Sequence, residues 1–236
     1  LRSALIVINE KNKTMKLRYF IYSSLFLAFC NTSAIAEENK PFTTQFSIGY
    51  MSQYISSGID QNGNKGSAFV SADIISNTGI YVGAWTAEVD SANGAGKEID
   101  YYIGYKGKFS KLNYDVGHKS FYYSGTSDKG DNSGEFYVNV EAQPFDSSVT
   151  LALELAKNDQ GTNDEAKKFI ISKELYETNI SFNIGEVEAS NDFWGIAASK
   201  SFYNLDFELA YINNSMKESN AESDKEFLTL TISKEF

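Results

Sequence analysis

Few groups in this chain could do chemistry. Its one histidine, His118, stands two residues from Ser120, and on an extended strand residues two apart project from the same face. Such a pair could carry acyl transfer, the imidazole taking the serine proton. That reaction also needs an orienting third group and an oxyanion site, neither of which the sequence identifies, so His118 is read as an incidental interfacial histidine. A single histidine rules out metal sites built on several imidazoles. Glycine-rich phosphate loops and serine-nucleophile elbows are also missing from the sequence. No cofactor and no metal is therefore expected, and no catalysis.

A second set of groups is more telling. Asp100, Asp115, Glu141, Glu154, Glu174, Asp206 and Glu208 fall on the polar side of alternating stretches, with Lys106, Lys119 and Lys168 among them. If these side chains line an enclosed path, their acidic excess favours cations or neutral solutes, because charges lining a pore set its selectivity. Paired with one another and with tyrosine hydroxyls, the same groups would instead fill a narrow barrel. Both readings stay open at this point.

The elements that must position them are strands. Ile99, Tyr101, Ile103 and Tyr105 alternate with Asp100, Tyr102 and Lys106; Val149, Leu151, Leu153 and Leu155 alternate with Thr150 and Glu154; Leu205, Phe207, Leu209 and Tyr211 alternate with Asp206 and Glu208. One face of each is apolar and the other polar. The segment around Ile80 is ambiguous, with Tyr81 and Trp85 on one side and Ile80, Val82 and Ala84 on the other. Short breaks at 76–79, 110–111, 146–148, 177–179 and 203–204 alternate with longer polar ones at 56–66, 90–97, 124–134, 157–165, 188–192 and 214–224. This predicts an all-β chain of about 12 strands, a transmembrane antiparallel up-and-down β-barrel with long external loops and short periplasmic turns. Apolar residues would meet lipid and their neighbours a lumen. Tyr54, Tyr105, Tyr122, Tyr176 and Tyr203, near strand ends, are either interfacial girdle residues or ordinary strand formers.

The two termini support export to a membrane. Met15 to Ala36 reads as a signal peptide: Lys16 and Arg18, then the apolar Tyr19 to Phe29, then Ala34-Ile35-Ala36 before Glu37. Its apolar run falls short of the about 20 residues a spanning helix needs. Cys30 follows the bulky Phe29, which argues against lipidation. Residues 1–14 are read as an extension that is not native or a start placed too early, and 37–236 as a single barrel domain. Cleavage would remove five of the 21 basic residues and one of the 31 acidic ones, taking the net charge from −10 to −14. Every remaining basic residue is a lysine, and so acidic a surface excludes nucleic acid as a partner. At the other end, Leu228, Leu230 and Ile232 alternate with Thr229, Thr231 and Ser233, and Phe236 ends the apolar face like the closing strand of an outer-membrane barrel. Mean hydropathy of −0.33 is compatible with this, since only alternate residues touch lipid.

Between Ser52 and Tyr105 the chain carries Ser52-Gln53-Tyr54, Ser57-Gly58-Ile59-Asp60-Gln61, Gly79-Ile80-Tyr81-Val82-Gly83-Ala84-Trp85, Glu98-Ile99-Asp100 and Gly104-Tyr105. These stretches resemble the Gcw_chp family of TorF-like porins, with weaker similarity at Tyr123-Ser124-Gly125 and Glu135-Phe136-Tyr137. The resemblance implies a bacterial outer-membrane barrel whose biochemical role is largely unassigned. It also marks two departures. Ser57 stands where the family usually has Arg, and Ser124 where it often has Pro, so no role of that Arg in a constriction carries over. Gly58, Gly79 and Gly83 are expected to be turn and close-packing positions. The resulting expectation is an outer-membrane porin for small solutes. The alternatives are a structural or adhesive barrel with a filled lumen and, less favoured, a lipid-modifying enzyme. Its expected partners are outer-membrane lipids and lipopolysaccharide, and the barrel-assembly machinery through the C-terminal strand; Asp128, Asp131, Asp164 and Glu165 are read as solvated loop residues, with divalent-cation bridges to lipopolysaccharide the alternative.

Overall fold

The computed structural model describes residues 41–89, 96–124, 133–144, 148–160, 165–217 and 225–236. The proposed signal peptide, Cys30, Asp128, Asp131 and Asp164 lie outside them. Twelve antiparallel strands close into a barrel: β1 (Phe42–Met51), β4 (Ser67–Ser76), β5 (Ile80–Glu88), β6 (Lys97–Phe109), β7 (Leu112–Ser124), β8 (Gly134–Ala142), β9 (Val149–Asn158), β10 (Glu165–Leu175), β11 (Thr178–Val187), β12 (Asn191–Phe202), β13 (Leu205–Met216) and β14 (Lys225–Glu235). Two short strands, β2 (Ile55–Ser56) and β3 (Ile59–Asp60), form a separate hairpin after β1.

Each strand pairs with its neighbour in sequence, and β1 closes the ring on β14, with Tyr50 opposite Ile232. The last residue takes part in the closure. Phe236 N–H donates to the Phe46 carbonyl at 2.9 Å, and at the far end of the seam Ser52 N–H donates to the Leu230 carbonyl at 2.8 Å. A ring sealed from Phe46 to Ser52 has no free edge, and this is what lets strands cross hydrocarbon without stranding backbone donors.

The outer face is apolar over the middle of the barrel. Ile48, Val70, Ile74, Val82, Ile103, Val138, Leu153, Ile171, Ile196, Leu209, Leu228 and Leu230 all point outward and are exposed. Strands of 9 to 13 residues match the length needed to cross a bilayer at a tilt. Aromatic residues crowd the short-turn end, where Phe42, Tyr105, Phe109, Tyr176, Phe202, Tyr203 and Phe236 are exposed. At the long-loop end the band gives way to outward ion pairs, Lys157 with Glu165 at 2.6 Å and Lys217 with Asp192 at 3.1 Å. An apolar belt bounded by aromatic and charged rims is the outer surface a membrane barrel needs.

The ambiguous third strand is now assigned: Tyr81 and Trp85 point inward, and Ile80 and Val82 point out. One expectation is corrected. Tyr54 is not an interfacial girdle residue. It is 3% exposed, inside the barrel, because the chain leaves β1 at Met51 and turns into the lumen. There its ring packs on Trp85 at 5.5 Å between centroids.

Candidate functional site

All ten charged residues singled out from the sequence, Asp100 through Glu208, have inward parity on their strands. They do not form one ring. The lumen divides into two unlike halves.

On the wall made by β4 to β8, tyrosines and carboxylates interlock. Tyr102 donates to Asp73 Oδ1 at 2.8 Å, and Tyr81 donates to Asp115 Oδ1 at 2.5 Å while its hydroxyl also bonds that of Tyr137. Lys119 lies between Asp100 at 3.4 Å and Glu135 at 3.7 Å, and Lys106 sits over the Tyr81 ring at 5.5 Å. Glycines make room for these rings. A Cβ on Gly83 would fall 2.3 Å from the Tyr102 ring, and one on Gly104 the same distance from the Tyr81 hydroxyl. Rings and carboxylates are thus tightly packed in this wall, and hydroxyls and a lysine partner its buried carboxylates, leaving Glu98 Oε2 and Asp100 Oδ1 without a hydrogen bond. Asp73, Glu98 and Glu135 belong to it and were missing from the sequence-derived set, although each shares the inward parity of its strand.

The wall made by β9 to β14 is looser and receives the hairpin. Ser57 and Gly58 form its turn with φ of +46° and +81°, the two left-handed residues that a tight hairpin turn demands. Asp60 shapes the return strand, accepting from Asn62 N–H at 3.0 Å and Asn64 N–H at 2.5 Å, and Gln61 N–H donates to the Tyr54 carbonyl at 2.8 Å. The Nδ2 of Asn191 then clamps the turn, donating to the Ser57 carbonyl and to Asn214 Oδ1, both at 2.8 Å. Below it Ile55 is buried with Ala197, Ala210, Ile212 and Phe227, inward residues of β12, β13 and β14. A Cβ on Gly58 would come within 2.7 Å of Phe193 Cβ, so the turn sits directly against the wall. The stretch Ser57 to Gln61, picked out by resemblance, thus folds inward against the wall of β12 to β14, and Ser57 holds it there through its backbone. Nothing in the sequence marks Asn191 as the clamp.

Glu154 pairs with Lys168 at 2.6 Å inside this half, and Ser201 bonds Asp206 nearer the short turns. His118 lies on the outer face, its ring against Phe136 and its Nε2 2.9 Å from Asp159 Oδ2, so the orienting group that the sequence did not identify is present in Asp159. Among the described residues no cluster of three metal-ligating side chains occurs.

Of solved structures, the KdgM porin aligns with a TM-score of 0.57 at 10% identity, over 82% of this chain and 98% of that porin. The KdgM porin in complex with disordered oligogalacturonate aligns with a TM-score of 0.55 at 9% identity, over 82% and 98% of the two chains. At such identity the likeness is one of fold: a closed antiparallel barrel of the outer-membrane porin kind. No curated protein matches the sequence. A family model does match, over residues 35–231, and this chain therefore belongs to the Gcw_chp family, bacterial proteins of unknown function.

Proposed function

We propose that the protein is a gated outer-membrane channel for small cationic or neutral solutes, with the β2–β3 hairpin as its gate. The observation that carries this is the hairpin itself: a preformed turn seated in the lumen by side-chain contacts, with Asn191 on the Ser57 carbonyl, Ile55 among residues of β12 to β14 and Tyr54 on Trp85. The seal from Phe46 to Ser52 and the apolar outer band support placement in a membrane, with long loops outside and short turns in the periplasm. Export through the signal peptide, assembly through the β14 strand and contact with lipopolysaccharide at the long-loop rim complete the reading.

Selectivity follows from the lumen's charge. Its seven sequence-derived carboxylates outnumber three lysines, and Asp73, Glu98 and Glu135 add to the excess. Galacturonate units carry carboxylates, so a solute like the one found with KdgM would be repelled here. In a planar bilayer under a KCl gradient, the reversal potential of any current is expected on the potassium side. A reversal on the chloride side would contradict the charge argument. A structural barrel with a filled lumen is the second reading, favoured by the tightly packed tyrosine and carboxylate wall, and it predicts no current at all.

A further inference from the structure

Beneath the hairpin, between it and strands β8 to β13, lies a partly open cavity that conduction does not require. It offers about 30 Å³ to the centre of a water-sized molecule. Ile55 and Gly58 roof it, while Glu141, Thr150, Ser172, Asn179 and Ser181 line it toward the short turns. The register sets Thr150 beside Ser172 and Ser172 beside Ser181, making a row of hydroxyls across three strands. Glu141 is next to the last residue of β8, Thr150 and Asn179 each second in their strands, so the polar end lies at the periplasmic rim.

Two of these side chains are more than nine-tenths buried and each has an oxygen with no partner. Glu141, 3% exposed, accepts from Asn113 Nδ2 at 3.3 Å through Oε1 but leaves Oε2 unused; Asn179, 8% exposed, leaves its Oδ1 unused. An unmatched buried carboxylate oxygen is costly, and its cost falls when a donor arrives. No lysine lines the cavity, so a charged donor for Glu141 has to come from a ligand, against which water is the neutral competitor. One carboxylate amid neutral oxygens suits a single positive charge, whereas a divalent ion takes several carboxylates and six or more oxygens. An ammonium head supplies N–H donors to such a set, and Ile170 and Ala197 offer a short alkyl tail an apolar wall.

We propose that this cavity binds a small organic ammonium ion, a primary amine on a short alkyl chain, entering from the periplasmic end. The site needs the lumen as built and does not depend on whether the channel conducts.

The test is a titration of the refolded, isotope-labelled protein in detergent micelles with propylammonium chloride, followed by backbone amide shifts. Saturable shifts at Glu141, Ser172 and Ser181 are expected, with no such response to 1-propanol or sodium propionate. Glu141→Gln should weaken binding about tenfold by removing the charge-assisted bond. Asn179→Asp, which adds a second carboxylate, should tighten it, and this gain keeps the test decisive if Glu141→Gln does not fold. Glu177→Gln, in an exposed turn, should leave it unchanged. Shifts that fail to saturate, an equal response to propanol, or an affinity indifferent to both cavity variants would overturn the site, leaving only bound water there. A potassium-preferring current without propylammonium binding overturns the site and leaves the channel standing; binding without current does the reverse.

Discussion

Replacing Gly58 with valine should open the lumen. The turn holds this residue at φ +81°, where a β-branched side chain is strained, and the new Cβ would lie 2.7 Å from Phe193 Cβ. Backbone strain of this kind costs about 1 to 3 kcal/mol. On its own it shifts the balance between seated and unseated hairpin by about five- to 150-fold. The barrel wall is untouched, because no strand of the ring loses a ladder bond when the hairpin leaves. Uptake of small solutes into vesicles carrying the variant should therefore rise at least as steeply, while heat-modifiable migration of the folded barrel stays as in the parent. Gly58→Ala strains the same dihedral with a smaller side chain and should fall between the two. Permeability unchanged in both variants would mean that the hairpin is not what closes the path.

The second large effect concerns the outer face. Leu209 points outward from the middle of β13, beside Ala198 and Leu230 on the neighbouring strands. A lysine there sets a charge near the bilayer midplane, at a cost of about 2 to 4 kcal/mol, whereas the same substitution near an interface costs about 0 to 1 kcal/mol. Phe202 supplies the comparison: it is outward too, but it ends β12 at the short turn Tyr203-Asn204. Denaturant unfolding in phospholipid vesicles should thus show Leu209→Lys much less stable than Phe202→Lys. Equal losses would deny that depth in a membrane governs this face, and a tolerated Leu209→Lys would place the face in water.

What could be read from the sequence divides along the same physical line. Leu205, Phe207, Leu209 and Tyr211 alternate with small or polar residues, and a period of two on a pleated strand leaves one assignment of faces. The pairing of Phe236 into the seam and most of the loop alternation were legible too, but the longer break expected at 188–192 is a three-residue turn between β11 and β12. Strand β5 resisted because Tyr81 and Trp85 are as apolar as the residues facing lipid. What decides it is Gly83 and Gly104, whose missing Cβ atoms give Tyr102 and Tyr81 room inside, a relation between strands that no single segment displays. Tyr54 misled for a related reason. Phe46, Ile48, Tyr50 and Tyr54 share one parity, but parity holds only while the chain stays extended, and beyond Ser52 it bends inward.

The inward fold of the hairpin could not be foreseen. Ser56 to Gly66 is rich in glycine and asparagine, a composition as fitting for a solvated loop, and its clamp Asn191 lies 134 residues from Ser57 in the chain. Its inward course depends on Ile55 finding Ala197, Ala210 and Ile212, a contact made with β12 and β13 and not along the sequence. The resemblance did mark Ser57 to Gln61, and the left-handed turn at Ser57 and Gly58 gives that motif a physical meaning.

Single-channel recording on the unmodified protein and on a chain lacking residues 53–61 tests the central claim most directly, since the deletion removes the hairpin and leaves every strand of the ring. The unmodified protein should rest closed with brief openings, and the shortened one should carry a lasting, potassium-preferring current. Silence in both, with the shortened chain still folded as a barrel, would show that the tyrosine and carboxylate wall fills the lumen and that the protein is not a channel.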